Sequence, residues 1–484
     1  MKIVKKILLS LLAIPLVLLT VVVVAQVYYH LTPLALSAET LQLNARAAKL
    51  PTLTENGYRL YGLFAPREQD AVAFGKCLLD AQERHRRDEK AYAVKAAAYD
   101  DKGARADYGK QSSARFNVLH EACTKGGTQL KLPPLLNDLR INLTTTEDQW
   151  KALASATPDE VVLTRADAVR SGGVRRLGAE VDSPFPSYDS LMKLERWRIA
   201  RGVAAWRKSD RTGATEMWTT SIADWAKSAD TTLIEAMLAT AAQTQVLIAV
   251  QGSVARSEPI DDATANGLLN ALKPIETMPD SVAESMVGEW QMNVSMMKQV
   301  AESPLLSLSL RLERNVFERA MERISSWTFD ANDTINTLAK ANLWTQDAMR
   351  KTARGGAVPE YPSDMTGIGC TAPGDWGMAC LPFMRNPVGG ILSAISMPMY
   401  PSYGTRVADM RNLAAATRLT IESRRRGLSG AALAQFVAAA PPEMREVFSA
   451  KAFVYDATTK QLRLELHERS TILGEQGTTY SLPL

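Results

Sequence analysis

The short signatures by which many enzymes are recognised are missing from this sequence. It contains no H-E-x-x-H, no G-x-S-x-G, no phosphate-binding P-loop and no G-x-G-x-x-G. Histidine is scarce: His30, His85, His120 and His467 are the four in 484 residues, and they stand far apart. None has a carboxylate or cysteine pattern beside it, so each reads as a surface or satisfied polar side chain rather than a base. An excess of one charge is missing too. The first thirty residues hold three lysines and no acid, which leaves 53 of the 56 basic side chains against 52 acidic ones. A chain so balanced offers no broad positive field to a phosphate backbone, which argues against nucleic acid as a partner.

Three near misses give way to plainer readings. Ser190-Leu191-Met192-Lys193 fits the S-x-x-K of penicillin-binding proteins, but no S-D-N occurs and Lys351-Thr352 is followed by Ala353, not glycine. Leu191 and Leu194 make this stretch the start of a core helix. Asp330, Asn332, Thr334 and Asn336 alternate like the opening of a calcium loop. The sixth position is Ile335 and the twelfth Ala341, where such a loop needs glycine and glutamate, so Asp330 and Asn332 read as helix caps. Met292 and Met296 lie four apart, a spacing that suits Cu(I). Beside the stripe Val282, Met286, Trp290, Val294 and Met297, they read as packing on a sandwiched helix. No catalytic, cofactor-binding or metal-ligating residue is assigned, and no cofactor is expected.

What the sequence does have is an N-terminal apolar run. Lys2, Lys5 and Lys6 precede an uncharged stretch from Ile7 to Val27, and Tyr28-Tyr29 follow. As a helix rising about 1.5 Å per residue, residues 7–27 reach across a bilayer core of roughly 30 Å. Lysines hold one flank in the cytoplasm and tyrosines suit the opposite interface. A cleaved signal peptide, cut after Val23-Val24-Ala25, is the alternative, but the run has no polar region before such a site. The expectation is a single-pass bacterial inner-membrane protein with a cytoplasmic N-terminus and a periplasmic bulk.

Export gives the four cysteines a meaning. Cys77, Cys123, Cys370 and Cys380 are an even set in an oxidising compartment, which reads as two disulfides. Cys370 and Cys380 bracket a loop rich in Gly and Pro, which leaves Cys77 to pair with Cys123. A zinc site is the rival, but neither pair has C-x-x-C spacing and no histidine stands near the second.

The fold class expected is mainly α: the anchor, a body of helical hairpins with a tetratricopeptide-like character, and a small C-terminal β-hairpin or meander. The divisions are an anchor over 1–30, a helical subdomain over 31–180, a helical-hairpin subdomain over 181–355, a disulfide loop over 356–390, and C-terminal helices with the β element over 391–484. Residues 55–66 read as a tight glycine-containing element leading into a helix from near Glu68 to Tyr99, with a return helix over Ser113 to Cys123. Thr144-Thr145-Thr146-Glu147 starts another, anchored by Trp150. Apolar periodicity then predicts helices over Asp189 to Arg207, over a face holding Ala214, Trp218 and Trp225, and from near Asp230 onward. Further helices are expected over Ala263 to Leu272, Val282 to Val300, Leu310 to Ser325 and Thr405 to Arg426. Only one tetratricopeptide-like unit is visible, without a fixed period. Alternation at Leu462, Leu464 and Leu466 marks strands, with a third at Tyr480 and Leu482.

Four stretches carry a resemblance: Asn56-Gly57-Tyr58 through Ala65-Pro66, Ala229 to Met237, Arg385 to Leu392 with Tyr400 to Asp409, and Tyr455-Asp456 with Leu462. They resemble a group of uncharacterised single-pass envelope proteins of Gram-negative bacteria. The resemblance implies an N-terminal anchor and an exported helical domain, and no activity. The function expected is an interaction or scaffold module of the envelope that engages an envelope protein. The competing reading is an envelope enzyme acting on peptidoglycan, lipid or polysaccharide. The oligomeric state is left open. In intact cells, all four thiols are expected to become alkylatable only after reduction, on a membrane-bound chain of unprocessed length; four free thiols without reductant would refute the exported reading.

Overall fold

The computed structural model describes residues 17, 20–29, 31–32, 34–50, 54–98, 122–124, 130–172, 186, 188–302, 329–360, 362, 385–386, 400–468 and 479–484. Outside them lie Cys370 and Cys380, the three N-terminal lysines with most of the apolar run, His30 and His120, and the helix expected over Leu310 to Ser325. In chain order the helices are α1 Thr20–Tyr29, α2 Ala38–Ala47, α3 Glu55–Tyr61, α4 Ala71–Ala98, α5 Leu135–Asp138, α6 Glu147–Ser155, α7 Glu160–Ser171 and α8 Tyr188–Arg207. They continue with α9 Arg211–Ala226, α10 Leu233–Ala255, α11 Asp262–Ala271, α12 Met278–Glu284, α13 Met286–Glu302, α14 Ala331–Ala353, α15 Pro401–Arg425 and α16 Gly430–Ala438. Strands β1 Val454–Asp456, β2 Gln461–Glu465 and β3 Thr479–Pro483 form an antiparallel sheet in that order. The protein is mainly helical with a small sheet near its C-terminus, as expected.

The chain divides into two units, one of residues 1–49, 290–345 and 359–398, the other of residues 50–289, 346–358 and 399–484. In the first, polar side chains tie the segment before α2 to the start of α14. Asn336 accepts from the Ser37 amide and the Thr40 hydroxyl, each at 2.8 Å, and donates to the Ala35 carbonyl. Asn332 donates to the Leu34 carbonyl at 2.7 Å. Asp330 caps α14 through the Asp333 amide and pairs with Arg385 at 3.2 Å. The alternation from Asp330 to Asn336 is thus a seam between chain segments, in which Asp330, Thr334 and Asn336 accept from protein donors. Trp290, fully buried, donates to Asn44.

The second unit is built around α10. A helix apolar on every side has to be covered on every side. This one has mean hydropathy 1.5 and is 78% buried, with α8 and α9 against it on one part of its surface, α15 on another and β3 near its end. Among the described residues it is the one helix long and apolar enough to cross a membrane by length and composition. Here protein covers it. Its polar residues bond inward: Thr240 and Thr244 donate to carbonyls four residues back at 2.8 and 2.7 Å. The helix starts at Leu233 rather than near Asp230, because Thr232 caps it through the Glu235 amide and Glu289 accepts from the Leu233 amide at 3.2 Å.

Residues 55–61 form a helix, α3, not only a tight turn. Its backbone lies against α4, where a Cβ on Gly75 would fall 1.9 Å from the Tyr58 carbonyl oxygen and one on Gly62 equally close to that of Ala71. Cys77 on α4 is disulfide-bonded to Cys123, Cα to Cα 5.9 Å, beside the small cluster of Ala65, Phe74 and Ala81. The single helix expected over Val282 to Val300 is divided at Ser285, whose hydroxyl turns back to the Val282 carbonyl at 2.7 Å. That turn lets Gly288 lie against the Thr231 carbonyl, 2.2 Å from where its Cβ would be. In the sheet, Leu462, Leu464 and Leu482 are buried and alternate with outward residues.

One ion pair is buried in this unit. Glu195 of α8 is 1% exposed and Arg170 of α7 is 3% exposed; Arg170 Nη1 stands 3.4 Å from Glu195 Oε2 while Ser221 donates to Oε1. Removing one partner strands the other charge away from water, so Arg170→Met should cost about 3–5 kcal/mol in urea unfolding. Arg170→Met with Glu195→Gln should recover most of that loss; a double variant as weak as the single would show the pair is not what matters.

Candidate functional site

A cleft of the second unit, about 740 Å³, opens where α6 begins, α8 and α10 end, and β3 passes. Each polar group in it is placed by a helix end. Thr146 and Gln149 form a capping box, which sets Glu147 in the first turn of α6 at its positive end. Arg207, the last residue of α8, donates to Glu147, and Arg256, just past α10, lies 3.8 Å from the same carboxylate. Ser209 turns the chain with φ +65° and Asp210 caps α9, so Arg211 follows at once on the same rim. Its guanidinium sits 5.6 Å from the Trp206 ring centre and donates to the Pro259 carbonyl at 3.4 Å. Two guanidiniums therefore share one carboxylate, and among the described residues Arg211 has none within ion-pair distance. Burial lowers the pKa of Arg207 and Glu147 opposes that shift; the group stays cationic at any physiological pH.

The floor of the cleft is polar as well. Gln251, 2% exposed, donates to the Pro483 carbonyl at 2.8 Å, while its Oε1 has no protein partner. Trp206 donates to Ser257 at 2.7 Å. The Leu484 amide bonds the Lys460 carbonyl, which turns the even-numbered residues of β3 toward β2. The backbone groups of Thr479 and Ser481 then point away from the sheet, along an edge whose Ser481, Leu482 and Pro483 line the cleft. Among the described residues no nucleophile stands beside a base here.

A second polar centre lies where α15 meets the exit of β2. Asp409, fully buried, accepts from the amides of His467 and Glu468 at 3.0 and 2.9 Å, and His467 Nδ1 is 3.8 Å away. The imidazole stacks on Phe448, ring centres 3.7 Å apart. The reading of His467 as a histidine without a nearby carboxylate is therefore corrected: its partner is 58 residues away in sequence and was invisible there.

The other residues singled out by sequence fall as follows. Cys77 and Cys123 are bonded. Lys193 pairs with Asp189 one turn before it, not with Ser190. His85 is partly buried on α4, and Met292 and Met296 are partly buried on α13. Sequence missed Arg207, Arg211, Arg256 and Gln251 altogether; the one available signal was arginine at the end of α8, the start of α9 and just past α10. No protein-family model, no curated protein and no solved structure matches this chain.

Burial pushes the Asp409 carboxyl up to about 7, against its two amide donors. Because folding raises this pKa above that of an unfolded chain, the carboxyl stabilises the fold most when protonated. That contribution falls as pH rises from about 4 through about 7, by roughly 1.4 kcal/mol per unit. Comparing urea midpoints at pH 5 and pH 8 should show the loss, and Asp409→Asn should remove it; an unchanged slope in the variant would refute the assignment.

Proposed function

We propose that this chain is a bilayer-anchored helical binding module of the bacterial envelope, with its body in the periplasm. The occupant of its cleft is an extended acidic segment of an envelope protein. The observation that carries this reading is the convergence of Arg207, Arg211 and Arg256 on a cleft that also holds the unpaired edge of β3. An extended segment adds to such an edge through main-chain bonds, and guanidiniums select its acidic side chains. Gln251 Oε1 offers it a further acceptor. Support for the anchor comes from α1, where Val21, Val23, Val24 and Tyr28 are all exposed on a helix with no charge, a surface that water disfavours and lipid accepts. The disulfide between Cys77 and Cys123 fits an exported body. The hairpin of α8 and α9 is the part that reads as tetratricopeptide-like, and the resemblance to single-pass envelope proteins agrees with the whole.

The test is photo-cross-linking in intact cells, with a photoreactive residue replacing Glu258 on the cleft rim or Lys460 on the distant β-turn. An envelope protein captured from position 258, not from 460, and lost when Arg207 and Arg211 are changed to Ala, is the expected result. Equal capture from both positions would refute the cleft as the binding site. Digestion of the body only after the outer membrane is opened is the matching topology result; digestion from the cytoplasmic side would overturn the anchor.

A further inference from the structure

A second cavity of the same unit, about 410 Å³, lies between residues at the end of α14, the middle of α15 and the turn after α16, and plays no part in the cleft just described. Four arginines border it: Arg354, Arg411, Arg418 and Arg445. Three have settled partners. Arg418 Nη2 is 2.5 Å from Glu276, Arg354 Nη2 reaches both oxygens of Asp280 at 2.9 and 3.0 Å, and Arg445 Nε donates to the Ala440 carbonyl at 2.7 Å. Two further acids face the cavity, Glu443 and Glu446, the latter accepting from Ser449 at 2.6 Å.

Arg411 is the exception. It is partly buried and has no carboxylate within ion-pair distance among the described residues. Its Nη1 donates to the Ala353 carbonyl at 2.9 Å, at the end of α14. That is an ordinary use for a cation at a helix C-terminus, and it occupies one of five donors. Burial lowers the pKa of Arg411 first, the like charges of Arg354 and Arg418 lower it further, and the Glu276 carboxylate opposes them. A guanidinium held among others of its sign, facing a cavity rather than packed protein, costs free energy until an anion joins it.

We propose that this cavity is a binding site for a phosphate group, held by Arg411 with Arg354 and Arg418. Two guanidiniums from α15 and one from the turn after α14 line the same cavity and match an anion with three or more oxygens and two charges, whereas a lone carboxylate fits one fork. The group arrives either as a soluble phosphate or as a phospholipid headgroup, whose polar part is of similar chemistry.

The full-length chain in neutral detergent is titrated with inorganic phosphate, or with a short-chain phosphatidic acid, each against chloride at matched ionic strength, and the thermal unfolding midpoint is read. The midpoint should rise with phosphate and not with chloride. Arg411→Met should unfold at a higher temperature than the parent in chloride, since it removes the like-charge contact, and should need roughly tenfold more phosphate for the same rise. Arg354→Gln, at a half-exposed position, should weaken the response without that basal gain. A lipid response about tenfold stronger than that to inorganic phosphate assigns the headgroup as the source, and comparable responses assign a soluble phosphate. If neither arm exceeds chloride, or both variants keep the parent's response, the proposal fails.

Discussion

The burial of α10 is the constraint from which most of the second unit follows. Its 23 residues carry no charge apart from Glu235, and Ala236, Ala239, Ala242, Val246, Leu247 and Val250 are each at most 1% exposed. Removing apolar surface on that scale from water is the main favourable contribution to folding. It dictates that α8, α9, α15 and β3 lie around this helix. The same burial creates the polar problem at its ends. The first amides of a helix have no partner within it, and here water is excluded from them. Thr232 and Glu289 accept from them, while Tyr188 and Thr231 donate to Glu235 beside them. The Ala229 to Met237 stretch is therefore a helix start equipped for burial, which explains residues that carry no chemistry.

How much of this was legible follows from what periodicity measures. Apolar spacing located α8, α9, α11 and α15, and alternation located the three strands, because each signal repeats within one element. The assignment of Cys370 and Cys380 to one loop leaves Cys77 to pair with Cys123, and that bond is present. Ser285 was not foreseen as a break, since nothing local forbids a helix through it; the cause is the Thr231 carbonyl packed against Gly288. The cleft was illegible for a related reason. Its members come from near residues 147, 207, 256 and 483, and arginines at helix ends also satisfy the helix dipole without forming any site. Composition pointed to a balanced chain, and the balance conceals a local arrangement in which Arg207 and Arg256 share Glu147 while Arg211 stands beside them.

Glu195, Glu235 and Glu289 are buried carboxylates beside a core in which alanine, leucine and valine are frequent. Small residues let helices approach closely but select a rotation weakly, because one alanine face resembles another. A carboxylate is less forgiving. Glu195 meets Arg170 from α7 and Ser221 from α9 in one alignment of α8, and Glu235 meets the Tyr188 hydroxyl at 2.9 Å in one alignment of α10. Any slip of about one residue would leave these charges buried without partners, at a cost of several kcal/mol. We read them as the contacts that fix register where apolar surface alone would not. The rims of α6, α8 and α10 inherit that precision: with these helices locked against one another, Glu147, Arg207 and Arg256 are held together above a floor tied by Gln251 to the last strand and by Trp206 to Ser257.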